Sequence, residues 1–236
     1  MKVRVKFSKQ GSLKYIGHLD MLRYFQKAIK RAGLPIAYSE GFNPHQIMTF
    51  SSPLGLGMTS TAEYMDIELT EEVPSEEGVS RLNDVMVEDI TVLSFKYLPE
   101  KSKNAMSATV AAEYKVTLGD KLIDEIGADF NYNKELSKFL SQKACIILKK
   151  TKKSEREIDI LPLIYDFSVE DKIFSIKCSS GSNDNLKPEV IMEEYLRFSG
   201  YDEKLDRVNL KIERTELYTG DTDNLISLDD IGINKQ

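Results

Sequence analysis

Lys2-Val3-Arg4-Val5-Lys6-Phe7-Ser8-Lys9 decides how the rest of the chain is read. Val3, Val5 and Phe7 alternate with Lys2, Arg4 and Lys6, the two-residue period of a strand with one apolar face. A loop bearing Gly11 and Gly17 follows. Over 18–32 the period changes to that of a helix, with Leu19, Leu22, Phe25, Ile29 and Ala32 on one side. Gly33 stands where a glycine commonly ends a helix. Further along, 34–39 reads as a short strand and Gly41-Phe42-Asn43-Pro44 as a turn. Strand-like patterns cover 47–51, 63–69 and 90–98, and a helical one covers 74–86. The order β-α-β-β-α-β predicts an α+β sandwich of the ferredoxin-like kind.

The polar, aperiodic stretch 99–108 (PEKSKNAMSA) reads as a linker. Beyond it the same order recurs more loosely. Strands are expected over 111–118 and 144–150, a hairpin over 158–178, a last strand over 208–218, and helices over 131–142 and 187–198. Pro188 falls at a favoured early helical position. The fold expected is therefore α+β, two tandem ferredoxin-like (βαββαβ) domains at 1–99 and 109–218. The acidic, polar residues 219–236 are expected to form a flexible tail.

A length of 236 residues suits two domains of ordinary size. Charged residues make up 30% and apolar ones 41%, the balance of a soluble globular chain. No apolar run reaches the roughly 20 residues that span a bilayer, and the alternating start lacks the apolar centre of a signal peptide. A cytoplasmic location, with no membrane association, is expected. Cys145 and Cys178 are far apart and belong to no CxxC pair. With two histidines and two cysteines no zinc spacing exists, and an iron–sulfur cluster would lack ligands. No metal or cofactor is expected.

The net charge of −6 hides an asymmetry. Residues 1–50 hold nine bases and two acids, which leaves −13 for the remainder. Such segregation hints at an anionic partner, though the segments could also attract each other. On a sheet with helices on one face only, Arg4 and Lys6 would line the open face and offer phosphate contacts. The alternative is that Asp66 and Glu68, alternating outward with Tyr64 on a neighbouring strand, neutralise them. On the first helix Arg23, Lys27, Lys30 and Arg31 share the side opposite the apolar stripe, with Asp20 the one acid among them. Lys9 and Lys14 flank the glycine loop that leads into that helix, whose N-terminal N–H groups favour anions. Asn43, in the turn, is a further candidate nucleic-acid contact, or a residue that shapes the turn. His18 and His45 are candidate acid/base groups for RNA cleavage, or structural histidines.

The segment FSKQGSLKYIGHLDMLRYFQKAIKRAGLPIAYSEGFNPHQIMTFSSPLGLG, followed by AEYMDIEL, resembles the radical-SAM-linked protein family, a bacterial domain of unknown function. The resemblance covers residues 3–70 and extends more weakly through EREIDILPLI at 155–164. The shared positions are Lys9, Gly11, His18, Asp20, Arg23, Gly41, Asn43, Pro44, Gly55 and Gly57. The resemblance implies a module fused to, or encoded beside, a radical SAM protein with a cobalamin-binding region. The chain itself lacks the CxxxCxxC signature of the radical SAM cluster. A looser likeness, at the level of fold, is to tandem ferredoxin-like proteins that bind and cut CRISPR repeat RNA. The function expected is a non-catalytic RNA-binding accessory module, assisting a radical SAM partner in modifying tRNA or rRNA. The alternatives are a metal-independent endoribonuclease and a protein-binding subunit without nucleic acid.

Overall fold

The computed structural model describes residues 1–150, 155–181, 184–201 and 209–236. It is an α+β chain of two compact units. The first unit comprises Met1–Val110 together with Arg214–Gln236, and the second comprises Ala111–Glu213.

The first unit runs β1 (Lys2–Lys9), α1 (His18–Arg31), β2 (Met48–Phe50), β3 (Thr59–Glu68), α2 (Ser75–Asn83), β4 (Ile90–Tyr97) and α3 (Ala105–Ala108). The strand order is β4-β1-β3, with β2 also on β3, and β1 with β3, β1 with β4 and β2 with β3 all pair antiparallel. Val3 and Val5 stand opposite Ile67 and Met65. These residues meet Phe25 and Ile29 of α1 and Phe95 of β4 in one core. Phe7, Phe25 and Phe50 cluster within it, Phe50 edge to face with the other two, a geometry that aromatic quadrupoles favour. The expected strand at 34–39 is reduced to isolated bridges at Ile36 and Tyr38.

The second unit runs β5 (Ala111–Leu118), α4 (Asp120–Ile126), α5 (Tyr132–Leu140), β6 (Ile146–Lys150), β7 (Glu155–Asp159), β8 (Ile164–Glu170), β9 (Ile173–Ser179), α6 (Pro188–Phe198) and the start of β10 (Leu210–Asp221). Its sheet has the order β10-β5-β9-β8, while β6 and β7 pair apart from it. Asp171 and Lys172 both adopt positive φ in the β8–β9 turn, as a two-residue hairpin connection requires. Phe139, Phe167, Phe174 and Tyr195 form the aromatic core. The hairpin expected over 158–178 is interrupted by a 3₁₀ turn at Leu161–Leu163, so its first strand is β8 alone. The expected strand start at 208 lies outside the described residues.

The tail expected over 219–236 is instead part of the first unit. β10 turns at Thr222 and Asp223 into β11 (Asn224–Ser227). A 3₁₀ turn follows at Leu228–Ile231, and Ile233 bridges to Tyr97. Leu228 is fully buried. An apolar anchor of this kind outweighs the acidic, polar composition that suggested mobility.

Candidate nucleic-acid interface

β1 is buried on both faces, which corrects the expectation that Arg4 and Lys6 line an open one. Arg4 is 1% exposed. Its Nε and Nη2 donate to the two carboxylate oxygens of Asp66 at 2.8 and 2.9 Å. Nη1 donates to the Leu228 carbonyl at 3.3 Å, and Nη2 to the Lys103 carbonyl at 3.2 Å. Asp66 also accepts from the Ala105 N–H at 2.7 Å. The linker end at α3 and the 3₁₀ turn at Leu228 therefore cover the face opposite the helices. Lys6 donates to Glu216 at 2.8 Å. Glu216 also accepts from the Tyr64 hydroxyl. Burial, then the charge of Glu216, pushes the Tyr64 phenol far above its ordinary value. Neither Arg4 nor Lys6 is free to meet phosphate.

Lys9 lies on the helix side of β1 and is 5% exposed. Its ammonium donates to the Ile16 carbonyl at 2.8 Å. Burial lowers its pKa; the nearby Glu63 carboxylate opposes that and the Arg214 charge adds to it. Arg214, itself buried, donates to Glu63 from Nη2 at 2.6 Å and to the Ser52 carbonyl at 3.0 Å. Phe7, Lys9, His18, Ser51, Pro53 and Glu63 line a narrow cleft at the start of α1. His18 is exposed there, edge-on to Phe50 at 5.5 Å. His45 is held differently, with Nδ1 2.8 Å from the Ser39 hydroxyl. Asn43 is exposed in the same loop.

The remaining candidates are on or beside the outer side of α1. Arg23, Lys27, Lys30 and Arg31 are all exposed. Arg23 reaches Asp20 at 3.4 Å, with both side chains open to water, and such a pair contributes little. Arg31 donates to the Val85 carbonyl at 3.2 Å. Lys27 and Lys30 have no carboxylate within 4.0 Å among the described residues. The Lys14 ammonium sits 5.2 Å from the centre of the exposed Tyr15 ring. The loop before α1 and the 53–57 loop are joined by Gly57 N–H donating to the Lys14 carbonyl at 2.9 Å.

Apolar side chains that the charge pattern alone did not single out accompany these bases. Tyr15, Phe42 and Leu56 are largely or wholly exposed, Phe42 completely, and so is Leu19, which corrects its expected place on the apolar stripe of α1, where Met21 and Ala28 are buried instead. Gln46 ties the base of the Phe42 loop to α1, its side-chain amide donating to the Gln26 carbonyl at 3.2 Å. The turn signal Gly41-Phe42-Asn43-Pro44 marked this loop, and a phenylalanine at a turn tip was the available cue. Among the described residues no three His, Cys, Asp or Glu side chains gather as a metal ion would need. No helix among them is long and apolar enough to cross a membrane.

Fold and surface together define an α+β protein with a cationic helix face. The chain belongs to the bacterial family described as "Uncharacterized protein conserved in bacteria (DUF2344)", whose pattern matches residues 2–188. No curated protein matches it.

Proposed function

We propose that the chain is a non-catalytic RNA-binding module and that α1 makes the phosphate contacts. One observation carries this reading: Lys27 and Lys30 are exposed and lack a carboxylate partner among the described residues, between the arginines 23 and 31. Solvated helix faces ordinarily mix the two signs. Arginine offers forked donors to phosphate and lysine a point charge. The interface is thus narrower than composition implied, because Arg4, Lys6 and Lys9 are engaged inside the fold.

The likeness of residues 3–70 to radical-SAM-linked proteins supports a place beside a radical SAM enzyme acting on tRNA or rRNA in the cytoplasm. The strand orders β4-β1-β3-β2 and β10-β5-β9-β8 support reading each unit as ferredoxin-like. Binding of tRNA or rRNA fragments should weaken steeply with salt, since each neutralised phosphate releases counterions. Fluorescence anisotropy from 50 to 200 mM salt tests this, and a flat response would overturn it.

A ribonuclease is the second reading. It is favoured by His18 at the mouth of a cleft that also holds Lys9, whose ammonium burial makes a stronger acid than an ordinary lysine. Cleavage of cellular RNA in the presence of chelator, lost in His18→Ala, would support it. Equal cutting by that variant would remove His18 from the mechanism.

A further inference from the structure

Resting on the RNA-binding reading, we propose that the surface beside α1 takes single-stranded RNA and that Phe42 stacks on a base. Phe42 is fully exposed, and burying so large a ring in a monomer would ordinarily be favourable. It stands at the tip of a loop whose base is fixed twice. Ser39 N–H donates to the His45 carbonyl at 2.8 Å, and Gln46 holds the Gln26 carbonyl of α1. The loop is therefore a presented platform rather than a loose turn.

Helical spacing puts Leu19, Arg23, Lys27 and Lys30 on one exposed side of α1, with Gln26 at its edge. The Phe42 loop is anchored at that edge. Tyr15, 68% exposed, ends the 3₁₀ turn that leads into α1. Rings interleaved with bases suit a strand whose bases are splayed out, because a ring can stack only on an unpaired base. Duplex RNA would offer phosphates to the lysines and nothing to Phe42. Charge complementarity favours this occupant over an apolar peptide, and stacking on a ring is tolerant of sequence.

The test is anisotropy with a fluorescent 12-nucleotide single strand and a duplex of matched composition, on the full chain. Single strand is expected to bind at least tenfold more tightly than duplex. Phe42→Ala should weaken the single strand by about tenfold or more, the effect typical of a lost stacking ring, with the salt slope unchanged. Phe42→Trp should restore binding. Lys27→Ala with Lys30→Ala should instead flatten the salt slope by about 1.4, roughly 0.7 for each lost phosphate contact. Circular dichroism confirms that each variant is folded. Equal affinity for duplex, or an inert Phe42→Ala, overturns the stacking proposal while RNA binding stands. No salt-dependent binding of either RNA overturns both, and capture of an acidic protein by the Lys27 and Lys30 side would then name the occupant.

Discussion

Arg4 shows how little a residue's charge says about its role until its neighbours are known. Its guanidinium makes a forked pair with Asp66 and also holds two carbonyls. Removing one side of a buried pair leaves the other charge without solvent or partner, which costs about 3–5 kcal/mol. Arg4→Ala and Asp66→Ala should each lower stability by that order in urea unfolding. A paired apolar replacement, Arg4→Met with Asp66→Leu, should fall short of full recovery. It would leave the Ala105 N–H and the Lys103 and Leu228 carbonyls without these partners. Full recovery would show that the bonds to the covering segments are unimportant.

Asp229 adds a pH dependence at the same scale. Burial opposes its ionisation, but hydrogen bonds from Lys96 and Ser94 and the charges of Lys96 and Lys6 hold its pKa below the ordinary 3.8. Its ionised form is therefore favoured by the fold. The stability it contributes is present above that ordinary value and is lost as pH falls through the lowered one. Proteolysis near residue 229 should rise on acidification below about pH 4, and Asp229→Asn should blunt that change. The cysteines should be unreactive for a matching reason. Burial pushes Cys178 up to about 12 and Cys145 up to about 11, leaving little thiolate. Alkylation of the folded chain at pH 8 should be slow at both, and rapid labelling would contradict this.

At the scale of elements, periodicity located β1, α1, α2, β4, α5 and α6 well, because each has one face against a core. It assigned the basic residues to the exposed side of α1 for the same reason, since a helix facing solvent segregates its residues by angle, but it misplaced Leu19, which is exposed among them. It could not tell that β1 has two covered faces. Alternation shows which side chains share a face, and is silent on what later covers that face. The cue lay in β3, where Asp66 stands opposite Arg4 and Tyr64 opposite Lys6. The Glu63–Arg214 pair was less legible still, since its members are remote in sequence. α2 supplies a separate test. Gly78 is buried in that helix, where an added Cβ would meet the Phe95 ring at 2.8 Å. Ala is the better helix former by about 1 kcal/mol. Overpacking against a fixed ring costs about 1–3 kcal/mol. Gly78→Ala should therefore lower the melting temperature; a rise would mean that Phe95 yields freely.

The whole molecule holds its composition in check through residues 219–236. They are acidic and polar, and a linear reading makes them a tail. Yet Leu228 is buried, Lys96 pairs with Asp229 at 2.7 Å, and Lys235 N–H donates to Ser75 at 3.0 Å. Truncation after Asp221 would strip the cover from Arg4 and from Lys96. It should destabilise the first unit far more than loss of a mobile tail, and scanning calorimetry of the shortened chain reads the difference. An unchanged transition would restore the tail.

The division of the first unit between Met1–Val110 and Arg214–Gln236 also sets an order of events at the ribosome. Arg4 and Asp66 emerge early, but the Leu228 carbonyl that completes their enclosure is more than two hundred residues behind Arg4. Until then a nascent chain would carry this ion pair and the far side of β1 covered only by the linker end at α3. The second unit, contiguous in sequence, can close first.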